Sequence, residues 1–313
     1  MTGEGSLPRV ADGAAFDAVR RDEKALRPGV DALLRRLGVR GREVERFATG
    51  TQPVYGVGGD LVLKLFPPIH REDAATETAA LSAVGGRLPV PVPAVREAGE
   101  FDGWAYVLMD RLTGLGLADV WDEIPRGDRL RLAGALGETL AALHEIPAPE
   151  LGPPDWTAWI EGRRENAEAH HRADGLAEEW VRQVPGFLDA VPLCDTPPVL
   201  LHTEIMREHL LVADGPGGWR LTGLFDFEPA MRGDREYEFA AVGIFVAAGD
   251  AGFLRTLLLA YGHRPADLDD DLRRRFLAHT LLHRYSSLDW YLGLLPVPGP
   301  RTLDALATSW FAT

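Results

Sequence analysis

Apolar positions recur at helical spacing over residues 25–37, then contract into short runs. Residues 44–47 and 60–66 (DLVLKLF) read as strands separated by a Gly/Thr/Gln turn, and the second is apolar enough to be a buried strand. Helical spacing returns over 73–84, with Ala80, Leu81 and Val84 on one face. After a Pro-rich break at 88–93, residues 104–109 (WAYVLM) read as another strand. The order strand, loop, strand, helix, strand predicts a small sheet carrying one helix. Beyond Thr113 the pattern changes: Leu132, Leu136, Leu140 and Leu143 mark an amphipathic helix over 129–144 that ends before Pro147. Val199–Leu201 and residues 209–212 predict short strands around a polar turn, and 219–225 a third after the Gly/Pro hairpin at 214–218. The remainder reads as helices interrupted at Pro265 and Pro296. The longest apolar stretch, 240–261, contains Gly249, Asp250 and Arg255, so it reads as core helices rather than a membrane span.

The length, 313 residues, exceeds what one hydrophobic core usually serves, which favours two lobes, here 1–110 and 111–313. A net charge of −14 argues against a nucleic-acid binder that works by neutralising phosphates. The charge is uneven. Residues 1–110 hold 14 basic and 16 acidic side chains, and the rest hold 19 and 31, so the acidity belongs to the second lobe. Cys194, the single cysteine, reads as a small apolar residue and has no intrachain disulfide partner, which suits a reducing compartment. The N-terminal residues show neither a basic nor an apolar signal region. These features predict a cytoplasmic monomer that engages neither membrane nor nucleic acid.

The basic residues divide into 31 Arg and 2 Lys, so a retained lysine points to a need for a compact ammonium. Lys64 lies inside the apolar strand, where an ammonium pays a desolvation cost unless it meets an anion such as a phosphate. An edge-strand lysine reaching solvent is the alternative. The turn containing Thr51 and Gln52 lies about a dozen residues upstream, where backbone N–H groups can face a nucleotide. Glu77, on the following helix, is the natural partner for Lys64. A second cluster, HTEIMREH at 202–209, precedes an apolar run, and Asp226-Phe227-Glu228 closes a later one. Carboxylates and an imidazole at the ends of adjacent antiparallel strands can converge on a divalent cation and a hydroxyl, which suits metal-assisted phosphoryl transfer. Taken singly, each also reads as a turn residue satisfying backbone groups.

These motifs resemble those of the aminoglycoside phosphotransferase family, with its protein-kinase-like fold, and within it the hygromycin phosphotransferase branch. The resemblance implies an α+β, bilobal architecture with a small N-terminal sheet lobe and a larger, mostly helical C-terminal lobe. It implies that Lys64 contacts nucleotide phosphates while paired with Glu77, and that WAYVLMDRLTG is the adenine-binding hinge, placing Met109 and Arg111 at the nucleotide. The family's H-G-D-L-H-x-x-N loop puts His202, Glu204 and His209 in the places of its scaffolding histidine, catalytic aspartate and metal-binding asparagine. Asp226 corresponds to the magnesium-holding aspartate, and Gly233-Asp234 to a Gly-Asp pair beyond it. Here Thr203 replaces glycine, Glu204 aspartate and His209 asparagine, with the five-residue spacing from Glu204 to His209 kept. The implied cofactors are ATP or GTP with Mg²⁺, and the histidine makes Mn²⁺ an option.

The expected activity is ATP-dependent O-phosphorylation of a small-molecule hydroxyl on an aminoglycoside such as hygromycin. Glu204, Asp226 and Lys64 are the catalytic residues, and Asp226 and His209 the metal ligands. Thr51, Gln52, Lys64, Glu77, Met109 and Arg111 form the nucleotide site. Glu204, Glu228, Glu236 and Trp290 are the substrate contacts, with Glu238, Asp289, Tyr291 and the acidic run 267–271 as further candidates for a cationic acceptor. A non-catalytic nucleotide- or ligand-binding protein is the alternative, favoured by the Glu204 and His209 replacements. A kinase of another antibiotic or metabolite is a third reading.

Overall fold

A strand that is apolar on both faces must be covered on both sides, and the sheet around Lys64 meets that demand. The computed structural model describes residues 6–147, 151–193 and 196–313. Cys194 lies outside the described residues. Two compact units emerge, and the division is not a single cut. The first comprises residues up to Gly85, Val92–Thr113 and Asp226–Pro229, and the second Gly86–Pro91, Gly114–Phe225 and Ala230–Thr313.

In the first unit, β1 (Val44–Arg46), β2 (Val54–Val57), β3 (Leu61–Phe66), β4 (Val95–Phe101) and β5 (Trp104–Asp110) form an antiparallel sheet in the order β1-β2-β3-β5-β4. Sequence periodicity misses β2 and β4, because β2 is interrupted by Gly56 and β4 is mostly exposed and polar. Alternation assigns the faces. Leu63 and Leu65, with Tyr55, Val57, Trp104, Tyr106 and Leu108, pack against Leu26, Val30 and Leu33 of the Glu23–Arg36 helix. Lys64 points the other way, opposite Val54 on β2 and Val107 on β5 in the strand register. The Arg71–Val84 helix, which begins two residues before the predicted start, supplies Glu77 on that side.

The second unit is mostly helical, with two small sheets. One pairs β6 (Leu115–Gly116), β8 (Leu210–Ala213) and β9 (Arg220–Leu224) in the order β6-β8-β9. The other pairs β7 (Val199–Leu201) with β10 (Met231–Gly233). The expected adjacency therefore holds only in part. β8 and β9 are antiparallel neighbours, but β7, which leads into Glu204, belongs to a different sheet. The cause is local: the chain reverses at Thr203 (φ 72°) and winds through a 3-10 turn at Arg207–His209, so β7 and β8 do not form a hairpin.

The predicted helix at 129–144 extends from Arg126 to His144, burying Leu132, Leu136, Leu140 and Leu143. It packs against the Ala251–Tyr261 helix, and a Cβ at Gly137 would lie 2.2 Å from the Leu257 carbonyl oxygen. The long apolar stretch is two helical segments, as its polar breaks predict. A π-helical segment at Val242–Ala247 ends at Ala248 and Gly249, both at positive φ, and Asp250 caps the next helix by accepting the Phe253 N–H. Among the described residues no helix is long and apolar enough to cross a membrane.

Because the two backbones touch at Gly137, Gly137→Ala is expected to destabilise the fold by about 2 kcal/mol. Chemical denaturation checks this, and wild-type stability would show that the helices can move apart.

Candidate active site

The β3 pleat turns Lys64 into an environment it cannot occupy alone. Its side chain is 7% exposed, and its Nζ lies 3.1 Å from Glu77 Oε2, 2.8 Å from Glu228 Oε2 and in close contact with Asp226 Oδ1. Burial works against the ammonium, but the Asp226, Glu77 and Glu228 carboxylates outweigh it and hold Lys64 well above the ordinary lysine range. Burial pushes Glu77 up to about 7; Lys64 opposes the rise, while Asp226 and Glu228 add to it. Glu228 is also raised, again chiefly by burial.

Three carboxylates around one ammonium leave an excess of two negative charges when all are ionised. That is a poor resting balance for a dry site and a good match for a divalent cation. Asp226 and Glu228 offer the hard oxygen donors that Mg²⁺ prefers, so the residues present fit such an ion. Asp226 sits at φ 73°, a left-handed conformation that Asp tolerates better than most residues.

The other nucleotide candidates occupy the same unit. Gln52 is buried, with no hydrogen-bond partner for its Oε1 among the described residues, whereas Thr51 is exposed in the same turn. Met109 alternates onto the Lys64 face of β5. The Arg111 guanidinium stacks 5.2 Å from the Phe47 ring centre, and its backbone N–H donates to the Asp60 carbonyl (2.8 Å). Glu228, expected among the substrate contacts, is a partner of Lys64. Sequence missed this because the pairing spans more than 160 residues.

In the second unit the 202–209 loop is held from several directions. Buried Glu238 accepts the backbone N–H groups of His202 (2.7 Å) and Thr203 (2.9 Å). Nδ1 of His144 is hydrogen-bonded to the Tyr261 hydroxyl (2.7 Å), and its Nε2 lies 3.6 Å from Glu238 Oε2. His283 Nε2 donates to the Thr203 carbonyl (3.2 Å) while its Nδ1 accepts the Tyr285 N–H (3.3 Å). Burial holds His283 down at about 4, so it is neutral. His202 has an equally defined tautomer: Nε2–H donates to the Phe225 carbonyl (3.0 Å), and Nδ1 accepts the Glu204 N–H (3.3 Å).

Thr203 is β-branched and fully buried in left-handed backbone, a conformation costing on the order of 1–3 kcal/mol that the surrounding bonds enforce. His209 donates from Nδ1 to the Glu204 carbonyl (2.7 Å), so in the neutral ring the lone pair is on Nε2, the nitrogen suited to a metal.

Trp290 and Tyr291 lie with Glu204 around a cavity of about 180 Å³, lined also by Ile244, Phe245 and His283. Glu236, expected to contact substrate, is buried in a two-bonded ion pair with Arg275 (2.7 and 3.0 Å). Glu238, a further candidate, anchors the 202–209 loop. Its available signal was a lone carboxylate flanked by Tyr237 and Phe239 at the head of an apolar run.

A family model for the phosphotransferase enzyme family matches residues 43–277, three quarters of the chain. The chain belongs to this family. The chain is also 30% identical over 158 residues to aminoglycoside 3'-phosphotransferase of Streptomyces fradiae, covering 48% of this chain and 57% of that protein. It thus spans little more than half the length of that relative. Among solved structures, the GDP complex of wild-type aminoglycoside 2'-phosphotransferase-IIIa superposes with a TM-score of 0.68 at 19% identity, covering 84% and 94% of the two chains. A thermostable mutant of aminoglycoside phosphotransferase APH(4)-Ia, in a ternary complex with ADP and hygromycin B, gives 0.62 at 19% identity, with 90% and 98% covered. The fold is therefore the α+β, kinase-like one, a five-stranded N-terminal sheet followed by a helical part.

Substitutions at Lys64 and Glu238 probe these arrangements. Lys64→Met leaves buried Glu77 and half-buried Asp226 and Glu228 without their counter-charge and is expected to cost about 3 kcal/mol at pH 8. Carboxylates raised in the folded state hold protons that the unfolded chain has released, so their contribution to stability falls as pH rises from about 4.5 through 7. The deficit should therefore shrink at pH 5. Urea unfolding of variant and wild type at both values decides, and an equal deficit at the two would refute the charge account. Glu238→Ala strands two buried N–H groups and should cost about 2–4 kcal/mol, while Glu238→Gln, which keeps one acceptor oxygen, should cost about half as much. Guanidinium denaturation of both variants checks the order.

Proposed function

We propose that the protein is a nucleotide-dependent O-phosphotransferase that uses ATP or GTP with Mg²⁺ to phosphorylate a hydroxyl on a small molecule. The observation that carries this reading is the buried Lys64 beneath Glu77, Asp226 and Glu228, in a chain of the phosphotransferase enzyme family. The names of the similar proteins support including aminoglycosides, hygromycin among them, in the acceptor panel.

Lys64 binds phosphate oxygens while Glu77 keeps its ammonium oriented. Asp226 and Glu228 would hold the metal, and His209 Nε2 is suited to assist. A bound divalent cation supplies neutralisation of charge on the phosphate oxygens. Thr51, Gln52, Met109 and Arg111 are assigned to the nucleotide. Glu204 accepts a hydrogen bond from the acceptor hydroxyl and takes its proton as the oxygen bonds to the γ-phosphorus. The bond from that phosphorus to the bridging oxygen breaks, and its electron pair leaves with the nucleoside diphosphate. A loose transition state needs little base strength, which a carboxylate can provide.

Thermal-shift titration with ATP and GTP, each with Mg²⁺ or Mn²⁺, followed by transfer assays on kanamycin, hygromycin B, streptomycin and a macrolide, tests the reading. Stabilisation by a nucleotide–metal complex and phosphate transfer are expected. Binding without transfer to any acceptor would favour a ligand-binding role, the reading suggested by Glu204 and His209, and no nucleotide binding would sink both. On an accepted substrate, Glu204→Gln should slow single-turnover transfer about 100-fold; near-wild-type transfer would remove Glu204 from the mechanism.

A further inference from the structure

The acidity of the second lobe predicts a cationic acceptor, yet several of the carboxylates put forward to meet it are engaged elsewhere. Glu236 pairs with Arg275 and Glu238 holds the 202–209 loop. Asp267 pairs with Arg264 and Asp270 with Arg273, and Asp269 caps the Asp270–Leu282 helix. Asp289 is exposed in the first turn of the Leu288–Leu294 helix and is not part of the cavity wall. Among the described residues, Glu204 is the one carboxylate that lines the cavity.

The remaining wall is apolar and aromatic. Phe245 and Trp290 rings lie 5.3 Å apart, Phe245 and Tyr291 5.6 Å, and Trp290 and Tyr291 5.6 Å. Tyr285 and Trp290 are each 51% exposed, and Leu294 on the same helix is 48% exposed. Three of the six exposed large hydrophobic residues among those described thus gather here, a concentration that marks a binding surface. Tyr291, pushed up to about 12 mainly by burial and further by Glu204, remains a neutral hydroxyl. Arg284 lies over the Tyr285 ring at 5.0 Å.

Backbone geometry makes an independent case. Ile244 and Phe245 reach the cavity from the π-helical segment Val242–Ala247, and such segments occur disproportionately at functional sites.

Resting on the reading of Glu204 as the acceptor-side carboxylate, we infer that the acceptor is a neutral or singly charged alcohol that lays an apolar ring face or aglycone on Trp290, Tyr285 and Phe245, and that polycationic amino sugars are poor ligands. Stacking and apolar burial provide the binding, while Glu204 selects the hydroxyl.

The test measures dissociation constants of two probes for the full chain by isothermal titration at near-physiological ionic strength. One probe is 4-methylumbelliferyl β-D-glucoside, neutral with an aromatic aglycone; the other is kanamycin, a polycation. The glucoside should bind about tenfold more tightly, and Trp290→Ala should weaken it about tenfold while shifting kanamycin less than about twofold. Trp290 is half exposed, so its removal leaves the fold intact, and a melting curve verifies this. Tighter binding of kanamycin, no binding of the glucoside, or indifference of the glucoside to Trp290 would each overturn the inference. Nucleotide-induced thermal stabilisation, measured on the same samples, reports separately on the phosphotransferase reading.

Discussion

A single ammonium at Lys64 answers three carboxylates, and much of the first unit is arranged so that it can. The five-stranded sheet gives β3 a pleat with two unlike faces. Leu63 and Leu65 enter the core beneath the Glu23–Arg36 helix, which commits Lys64 to the side where Glu77 waits on the Arg71–Val84 helix. Asp226 and Glu228 arrive from a segment far along the chain that joins this unit. Coulomb attraction in a dry environment holds the cluster, but the surplus of negative charge raises Glu77 and Glu228 towards neutrality. A compact ammonium suits the centre of three carboxylates better than a planar guanidinium does, in keeping with a lysine retained here.

The second unit uses the opposite sign in the same way. Buried Glu238 accepts two backbone N–H groups and organises the loop that carries Glu204 and His209. With His283 fixing the Thr203 carbonyl, the loop is bound on both edges of one residue, and left-handed backbone at a threonine becomes sustainable. The resemblance places glycine at that position, for which this conformation carries no steric cost. Retaining threonine therefore requires the anchors around it, and the tautomers of His202, His209 and His283 all follow from hydrogen bonds within the loop's surroundings.

Charge on this protein is largely local bookkeeping. Several carboxylates of the second lobe serve in helix caps, in surface ion pairs and in the interior bonds of Glu236 and Glu238. Exposed pairs of this kind contribute little individually to stability. The wall beside Glu204 is accordingly shaped by rings rather than by carboxylates.

Residue spacing alone located the strand bearing Lys64, the helix bearing Glu77 and the helix ending at His144, because burial on regular elements imposes periods of two and 3.6 that composition cannot hide. The resemblance places Glu204, His209 and Asp226 by motif position, and the expected pairing of Lys64 with Glu77 is present in the structure. Sequence gives no sign that Glu228 meets Lys64, Glu236 meets Arg275 or Glu238 meets two backbone N–H groups, since a carboxylate looks the same in sequence whether it faces solvent, an arginine or a buried amide. It also missed β2, β4 and β10, whose short or polar strands are defined by pairing rather than by their own pattern. Local sequence determined which segments are helical or extended and which side chains share a face. Only the tertiary structure decided where each charge finds its counter-charge, because those pairings join residues tens to more than a hundred positions apart, beyond the reach of any local period.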